Sequence, residues 1–191
     1  MDYDLTRLGP SNFEGMCRSL FEKTFGPSVS QFGAGPDGGR EATYKGTLPA
    51  LADKDGQPWD GLVVLQAKFI QRPLGAPKDQ NWLIQQAKKE LRGWANPASK
   101  RRSSQRAEYM ILATNVVATP AAGGGVDRLQ ELFEELAPAA GIKGWQFWHA
   151  DKITSMLNDA SHIRRAYRGL ITPGDVLATL MDKLDRMAAE S

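Results

Sequence analysis

Sulfur and imidazole are scarce in this chain. It has a single cysteine, Cys17, and two histidines, His149 and His162. One cysteine excludes an internal disulfide and fits a reducing compartment, so a cytoplasmic location is expected. The same shortage argues against a zinc site, which draws on Cys and His in numbers. Long apolar runs are also missing. The longest are far short of the roughly 20 residues that cross a bilayer, so no membrane partner is expected. The N-terminal MDYDLTRLGP is acidic and has no apolar centre, so it does not read as a secretory signal. Nor does one charge dominate: 24 basic and 22 acidic residues leave a net charge of +2. Nucleic-acid binding therefore cannot be argued from the total. No internal repeat or low-complexity tract appears.

What is present suits one sizeable domain, or one domain with an appendage: 191 residues, 41% hydrophobic and 24% charged. The basic residues cluster. KKELR (88–92), KRRSSQR (100–106) and RRAYR (164–168) form islands, whose ordinary reading is a solvated surface.

Ser11–Phe25 has helical apolar spacing and stops at Gly26. Val29–Phe32 and Arg40–Tyr44 are short strand candidates, and 47–59 reads as a long turn or hairpin insertion. GLVVLQAKF (61–69) is the best strand. Asn81–Trp94 follows as an amphipathic helix, then a basic loop over 95–107 and a buried strand over Tyr109–Thr114. Val126–Ala137 is helical, Gly144–Trp148 is a strand, and Asp151–Asn158 and His162–Tyr167 are short helices. Thr172 caps a last helix with Pro173 at its first position. Strands alternating with helices after residue 60 predict an α/β sheet covered by helices.

The stretch QFGAGPDGGREA (31–42) decides the functional reading. Gly33, Gly35 and Gly38 match G-x-G-x-x-G, the spacing of a dinucleotide loop. That loop must open a helix facing the pyrophosphate. Here GREATYKG follows, too short for such a helix, and Pro36 lies inside the loop. Gly123–Gly125 precedes a helix but lacks the Lys-Ser/Thr of a phosphate loop. The acidic turn is the better reading, with Asp37 held just before a strand.

The next strong strand carries Gln66 and Lys68. Side chains two apart on a strand share a face, so both polar groups fall where Leu62 and Val64 predict another apolar residue. Such groups need partners, because unpaired burial costs a few kcal/mol each. Glu14 poses the same question. At about 100° per residue it falls between Phe21 and Phe25, inside the apolar stripe. Two accounts stay open: a capping box with Ser11, or a role facing a cation.

These residues resemble a known family. FEGMCRSLFEKTFG, GPDGGREA and LVVLQAKF look like the Mrr-like branch of the PD-(D/E)XK nucleases. The family pattern is an acid on the first helix, an aspartate before a central strand and (D/E/Q)-x-K on the next. Glu14, Asp37 and Gln66-Ala67-Lys68 match it. Gln66 stands where the commonest pattern has an acid, which predicts weaker Mg²⁺ binding and makes Mn²⁺ a possible substitute. The resemblance covers about residues 5–175. It implies a three-layer α-β-α restriction-endonuclease-like fold, with a central mixed sheet of about five strands.

The segment IRRAYRGLITPGDVL also resembles the joint between such nuclease domains and a STAND-type NTPase in bacterial antiphage proteins. The implied division is a nuclease domain over 1–170 and a C-terminal helix over 171–191, leading to an NTPase region. The implied activity is Mg²⁺-dependent hydrolysis of double-stranded DNA, as the effector of an antiphage or restriction system. Asp37, Gln66, Ala67 (through its carbonyl) and Glu14 would hold the metal, and Lys68 would orient the attacking water.

DNA phosphates would meet Lys88, Lys89, Arg92, Lys100, Arg101, Arg102 and Arg106. Cutting both strands implies a homo-oligomer in the active state. Two other readings compete. One is a catalytically silent nuclease fold that binds DNA. The other is an assembly module, suggested by Val176, Leu177, Leu180, Met181, Leu184 and Met187 in the last helix, although packing on its own domain is that stripe's default. Gln86 is assigned to the surface, and Trp59 is the tryptophan singled out for DNA contact.

Overall fold

The computed structural model describes residues 3–31, 41–99, 106–119, 121–172 and 174–190. A short 3-10 turn, Leu5–Leu8, runs straight into helix α1, Gly9–Phe25. Strand β1 (Ser30–Gln31) is a two-residue edge, and β2 (Ala42–Ala52) and β3 (Pro58–Lys68) form a long hairpin. Helix α2 (Ala76–Ala95), strand β4 (Tyr109–Thr114), helix α3 (Gly125–Ala140) and strand β5 (Gly144–Trp148) follow. Helices α4 (Ala150–Asn158), α5 (Ser161–Ile171) and α6 (Gly174–Ala189) complete the order.

The sheet order is β1-β2-β3-β4-β5, four full strands plus the short edge. β1, β2 and β3 pair antiparallel, whereas β3, β4 and β5 run parallel, so the sheet is mixed. Each parallel pair is joined through a helix, as a crossover requires. Two buried clusters lie on opposite faces. Val63, Leu65 and Ala67 of β3 pack in one with Phe13, Met16 and Leu20 of α1 and Ile153 and Leu157 of α4. Leu62 and Val64 pack in the other with Leu83 and Leu91 of α2 and Leu129 and Phe133 of α3. Period-2 alternation along β3 thus feeds two cores, and the molecule is a three-layer α/β arrangement.

Several expectations are corrected. α1 starts at Gly9, because the preceding turn leads into it and Pro10 suits a first turn, where its missing N–H loses no bond. Ser11 therefore sits inside the helix, and the Ser11–Glu14 capping box does not form. For residues 47–59 the hairpin alternative holds and the long turn does not: most of the stretch is strand. β2 continues to Ala52, and Asp53 closes the turn by accepting from the Asp55 and Gln57 amides at 2.9 Å each. Thr172 ends α5 as its C-cap instead of starting α6.

Trp59 is 1% exposed and stacks on Tyr109 with centroids 4.7 Å apart, so it is core and offers no platform for a base. Gly144 makes room for it: a Cβ there would lie 2.6 Å from Trp59 Nε1. No helix among the described residues is long and apolar enough to cross a membrane.

Candidate functional site

The end of β3 is built by three neighbours. On the β4 side, Gln66 pairs with Leu112, Ala67 with Ala113 and Lys68 with Thr114. Just beyond, Asn115 clasps the chain leaving β3. Its Nδ2 donates to the Ile70 carbonyl at 3.0 Å and its Oδ1 accepts from the Ile70 amide at 2.8 Å. On the β2 side, extending the Ala42–Leu65 register by one step sets Glu41 opposite Gln66. The Glu41 amide donates to the Leu65 carbonyl at 3.0 Å, and Glu41 Oε1 accepts from the Ala67 amide at 3.2 Å. A carboxylate is thus bound to the backbone between Gln66 and Lys68.

Gln66 is 0% exposed, and neither its Oε1 nor its Nε2 has a hydrogen-bond partner among the described residues. Leaving such a group unpaired costs about 1–3 kcal/mol, and well over nine-tenths of buried polar groups avoid it. The orphaned amide lies at the end of a central strand. Lys68 has a charged partner that the sequence analysis did not name. Its Nζ meets Glu90 Oε1 of α2 at 2.7 Å, with the two side chains 17% and 13% exposed. Nothing in the sequence reading had singled out Glu90. The signal was there, because Glu90 is seven residues after Leu83 and four before Trp94, on the buried side of α2.

Gln66 and Lys68 share the face that looks toward α2, as the alternation predicts. Glu14 lies on α1, the helix that covers the opposite face of β3, and among the described residues no hydrogen bond joins it to Gln66 or Lys68. Ala67 is buried on the α1 side. Glu14 and Glu41 do approach one region. The Cys17 thiol has its pKa pushed up, first by complete burial, then by the charge of Glu41 and then by that of Glu14, with Arg18 opposing. Cys17 is accordingly a protonated core thiol and not a nucleophile. Asp37 lies outside the described residues. Among those residues no three His, Cys, Asp or Glu side chains group together as metal ligands. Two carboxylates and one buried amide oxygen are what β2, α1 and β3 supply.

Of the expected phosphate contacts, Lys89 and Arg92 are exposed on α2 and Lys88 is half-buried there. Lys88 and Arg92 are one helical turn apart and so share a face. Lys100, Arg101 and Arg102 lie outside the described residues. Arg106 is exposed and lines a polar cavity of about 390 Å³ with Lys45, Ser28, Ser30, Thr43 and Glu108. Ser30 and Thr43 are register partners, and Thr43 pairs in turn with Val64, two residues before Gln66 on the same face. Gln86 is half-buried on α2. No protein-family model matches this chain, and a search of curated proteins returns no match.

Proposed function

We propose that this chain is a metal-dependent DNA endonuclease domain of restriction-endonuclease-like fold, in the Mrr-like PD-(D/E)XK manner. One observation carries the reading. Gln66 of the Q-x-K stretch is wholly buried with an unpartnered amide, and a carboxylate, Glu41, is bound at Ala67 beside it. The mixed three-layer fold with the Q-x-K at the end of a central strand is consistent with it.

The residues suit Mg²⁺, a hard cation that takes oxygen ligands and keeps several waters. Glu41, the Gln66 amide oxygen and the Ala67 carbonyl would hold it, with Asp37 completing the set, and Glu14, on the helix over the opposite face, would reach it only through water. When bound, it supplies charge to polarise the phosphodiester and lowers the pKa of a water. The chain's own part is orientation and charge. Glu41 is fixed by the Ala67 amide. Asn115 fixes the strand end. Lys68, held by Glu90, presents an ammonium beside the site to stabilise developing negative charge. Lys88, Lys89, Arg92 and Arg106 would take backbone phosphates.

Plasmid cleavage with Mg²⁺ and with Mn²⁺ tests the assignment. Asp37→Ala, Glu41→Ala and Lys68→Ala are each expected to lower the rate at least about a hundredfold. Gln66→Leu is the sharper variant. It should abolish cleavage and yet raise stability by about 1–3 kcal/mol, because the unpaired amide is gone. A Gln66→Leu protein that is less stable and still cuts DNA sinks the proposal.

A second reading is a catalytically silent fold that binds DNA, and the Lys68–Glu90 pair favours it. An ammonium already neutralised at 2.7 Å is less available to a substrate. Absence of cleavage with either metal, at any protein concentration, alongside retained duplex binding would select this reading. A role in antiphage defence, oligomerisation for double-strand cutting and an adjoining NTPase region remain part of the proposal that the resemblance brings.

A further inference from the structure

The third basic island, 164–168, takes no part in the site above. The structure places it around a cavity of about 440 Å³ lined by Tyr3, Asn158, Arg164, Arg165, Arg168 and Thr172. The N-terminal strap, residues 3–7, builds one wall, and the consecutive end of α4 and length of α5 build the other. The strap is fixed where the Asp4 amide donates to the Ile171 carbonyl at 2.8 Å. Tyr3 Oη donates to Asn158 Oδ1 at 3.2 Å, and Arg7 Nη1 donates to the Thr172 carbonyl at 3.0 Å. Arg164 is half-buried and held by the Asn158 carbonyl at 3.1 Å. The strap and Arg164 are thus held in place, while Arg165 and Arg168 extend from the exposed side of α5.

Their charge is one-sided. Arg164 and Arg168 are one turn apart, as are Arg165 and Arg168, so like charges face each other along the helix. Ion pairs that neutralise cations elsewhere, Lys68–Glu90 and Lys143–Glu108, have no counterpart here among the described residues. The nearby carboxylate of Asp4 is turned to the Thr6 amide at 3.1 Å. Among the described residues no carboxylate lines the cavity. Three arginines line the cavity; Arg164 Nη1 and Tyr3 Oη already donate to Asn158, so Arg165 and Arg168 supply the main donors. Guanidinium forks match the oxygens of a phosphoryl group in pairs, and several such forks suit a group with three or four acceptor oxygens.

We infer that the cavity between the N-terminal strap and α5 is a binding site for a phosphoryl group, free or carried on a nucleic acid. It stands apart from the proposed catalytic residues on β2 and β3 and does not depend on them.

The test uses the whole chain at low salt. Calorimetry follows inorganic phosphate and pyrophosphate, and fluorescence anisotropy follows a labelled DNA duplex. The double variant Arg165→Glu, Arg168→Glu changes two exposed side chains, and circular dichroism checks its fold. Binding of at least one probe is expected to weaken about tenfold or more in the variant. Loss confined to the small anions identifies a free phosphoryl ligand. Loss confined to the duplex, with a shallower salt slope, identifies a nucleic-acid backbone. Unchanged affinity for every probe, or no wild-type affinity for any, overturns the proposal.

Should the variant misfold, wild-type protein is treated with phenylglyoxal and the modified arginines are mapped by mass spectrometry. Phosphate or duplex should slow modification of Arg165 and Arg168 relative to Arg186, exposed on α6 and given no part in binding. Equal rates with and without both ligands overturn the site.

Discussion

Lys68 and Glu90 are two charges taken most of the way out of water and compensated by each other. Such pairs add little net stability, but removing one partner strands the other. Lys68→Ala is therefore expected to lower stability by about 2–4 kcal/mol, and Lys68→Ala with Glu90→Ala by clearly less. Chemical denaturation of both single variants and the double variant gives the coupling. A double-variant loss equal to the sum of the two single losses would mean that the pair is not formed. This bears on function, because a drop in cleavage by Lys68→Ala has to be separated from unfolding. Gln66 shows the opposite balance. It is neutral, buried and unpartnered, so losing it should stabilise the fold while removing what the fold holds it for. Both residues were legible as a pair of polar side chains on one face of a strand. Glu41 was not, because only the β2–β3 register sets it opposite Gln66.

At the scale of elements, β3, β4 and β5 meet through shape and charge at their starts. Gly144 opens β5 beneath Trp59, whose indole leaves no space for a Cβ. Gly144→Ala forces either the strand or a stacked, buried ring to move, and overpacking of this kind costs about 1–3 kcal/mol. A thermal midpoint equal to that of wild type would show that the ring yields freely.

Nearby, Glu108 precedes β4 and joins its neighbours. Glu108 Oε2 accepts from Lys143 Nζ at 2.7 Å and Oε1 from the Leu62 amide at 3.2 Å. The bond from Lys143 chiefly holds the Glu108 pKa below its usual 4.5; burial opposes, and the Leu62 amide adds to the lowering. The same bond raises Lys143 above 10.5. The carboxylate's contribution is complete above its unfolded pKa and is lost as pH falls through the lowered folded value. That of Lys143 is complete below its unfolded pKa and is lost as pH rises through the raised one. Both side chains are substantially exposed, so the pair is worth at most about 1 kcal/mol. Glu108→Gln should be less stable than wild type at neutral pH by that amount, with the gap closing in acid. Denaturation curves at pH 7 and pH 2.5 check the sign.

Taken whole, the molecule buries its apolar faces in two cores and leaves one apolar stripe outside both. In α6, Leu177 and Leu180 are over one-third exposed, and Met181, Leu184 and Met187 about two-thirds. The default expectation, that this stripe packs on its own domain, does not hold in the structure. Ile171 and Thr172, by contrast, are buried. A chain ending at Thr172 should therefore unfold within about 1 kcal/mol of the full chain, since almost no buried area is lost. Cutting before Ile171 should do worse, because it removes a core side chain and frees the strap bonded to its carbonyl. Equilibrium denaturation of both truncations tests the boundary at 171. A large loss from the shorter cut, of 173–191, would show that α6 packs in solution.

The sequence alone determined the elements whose signals are local. Alternation along 61–68 and the apolar runs at 109–114 and 144–148 mark strands, and the stripe in 81–94 marks a helix, because side-chain period follows from backbone geometry. It also determined that Gln66 and Lys68 share a face. The tertiary structure decided what those faces meet. It put Glu90 against Lys68, Glu41 at Ala67 and Glu14 on the far side of the sheet. It also buried Trp59 under β5 and drew Arg164, Arg165 and Arg168 around one cavity with Tyr3. These are contacts between residues far apart in the chain, set by strand register and by which layer covers which face, and no local pattern encodes them.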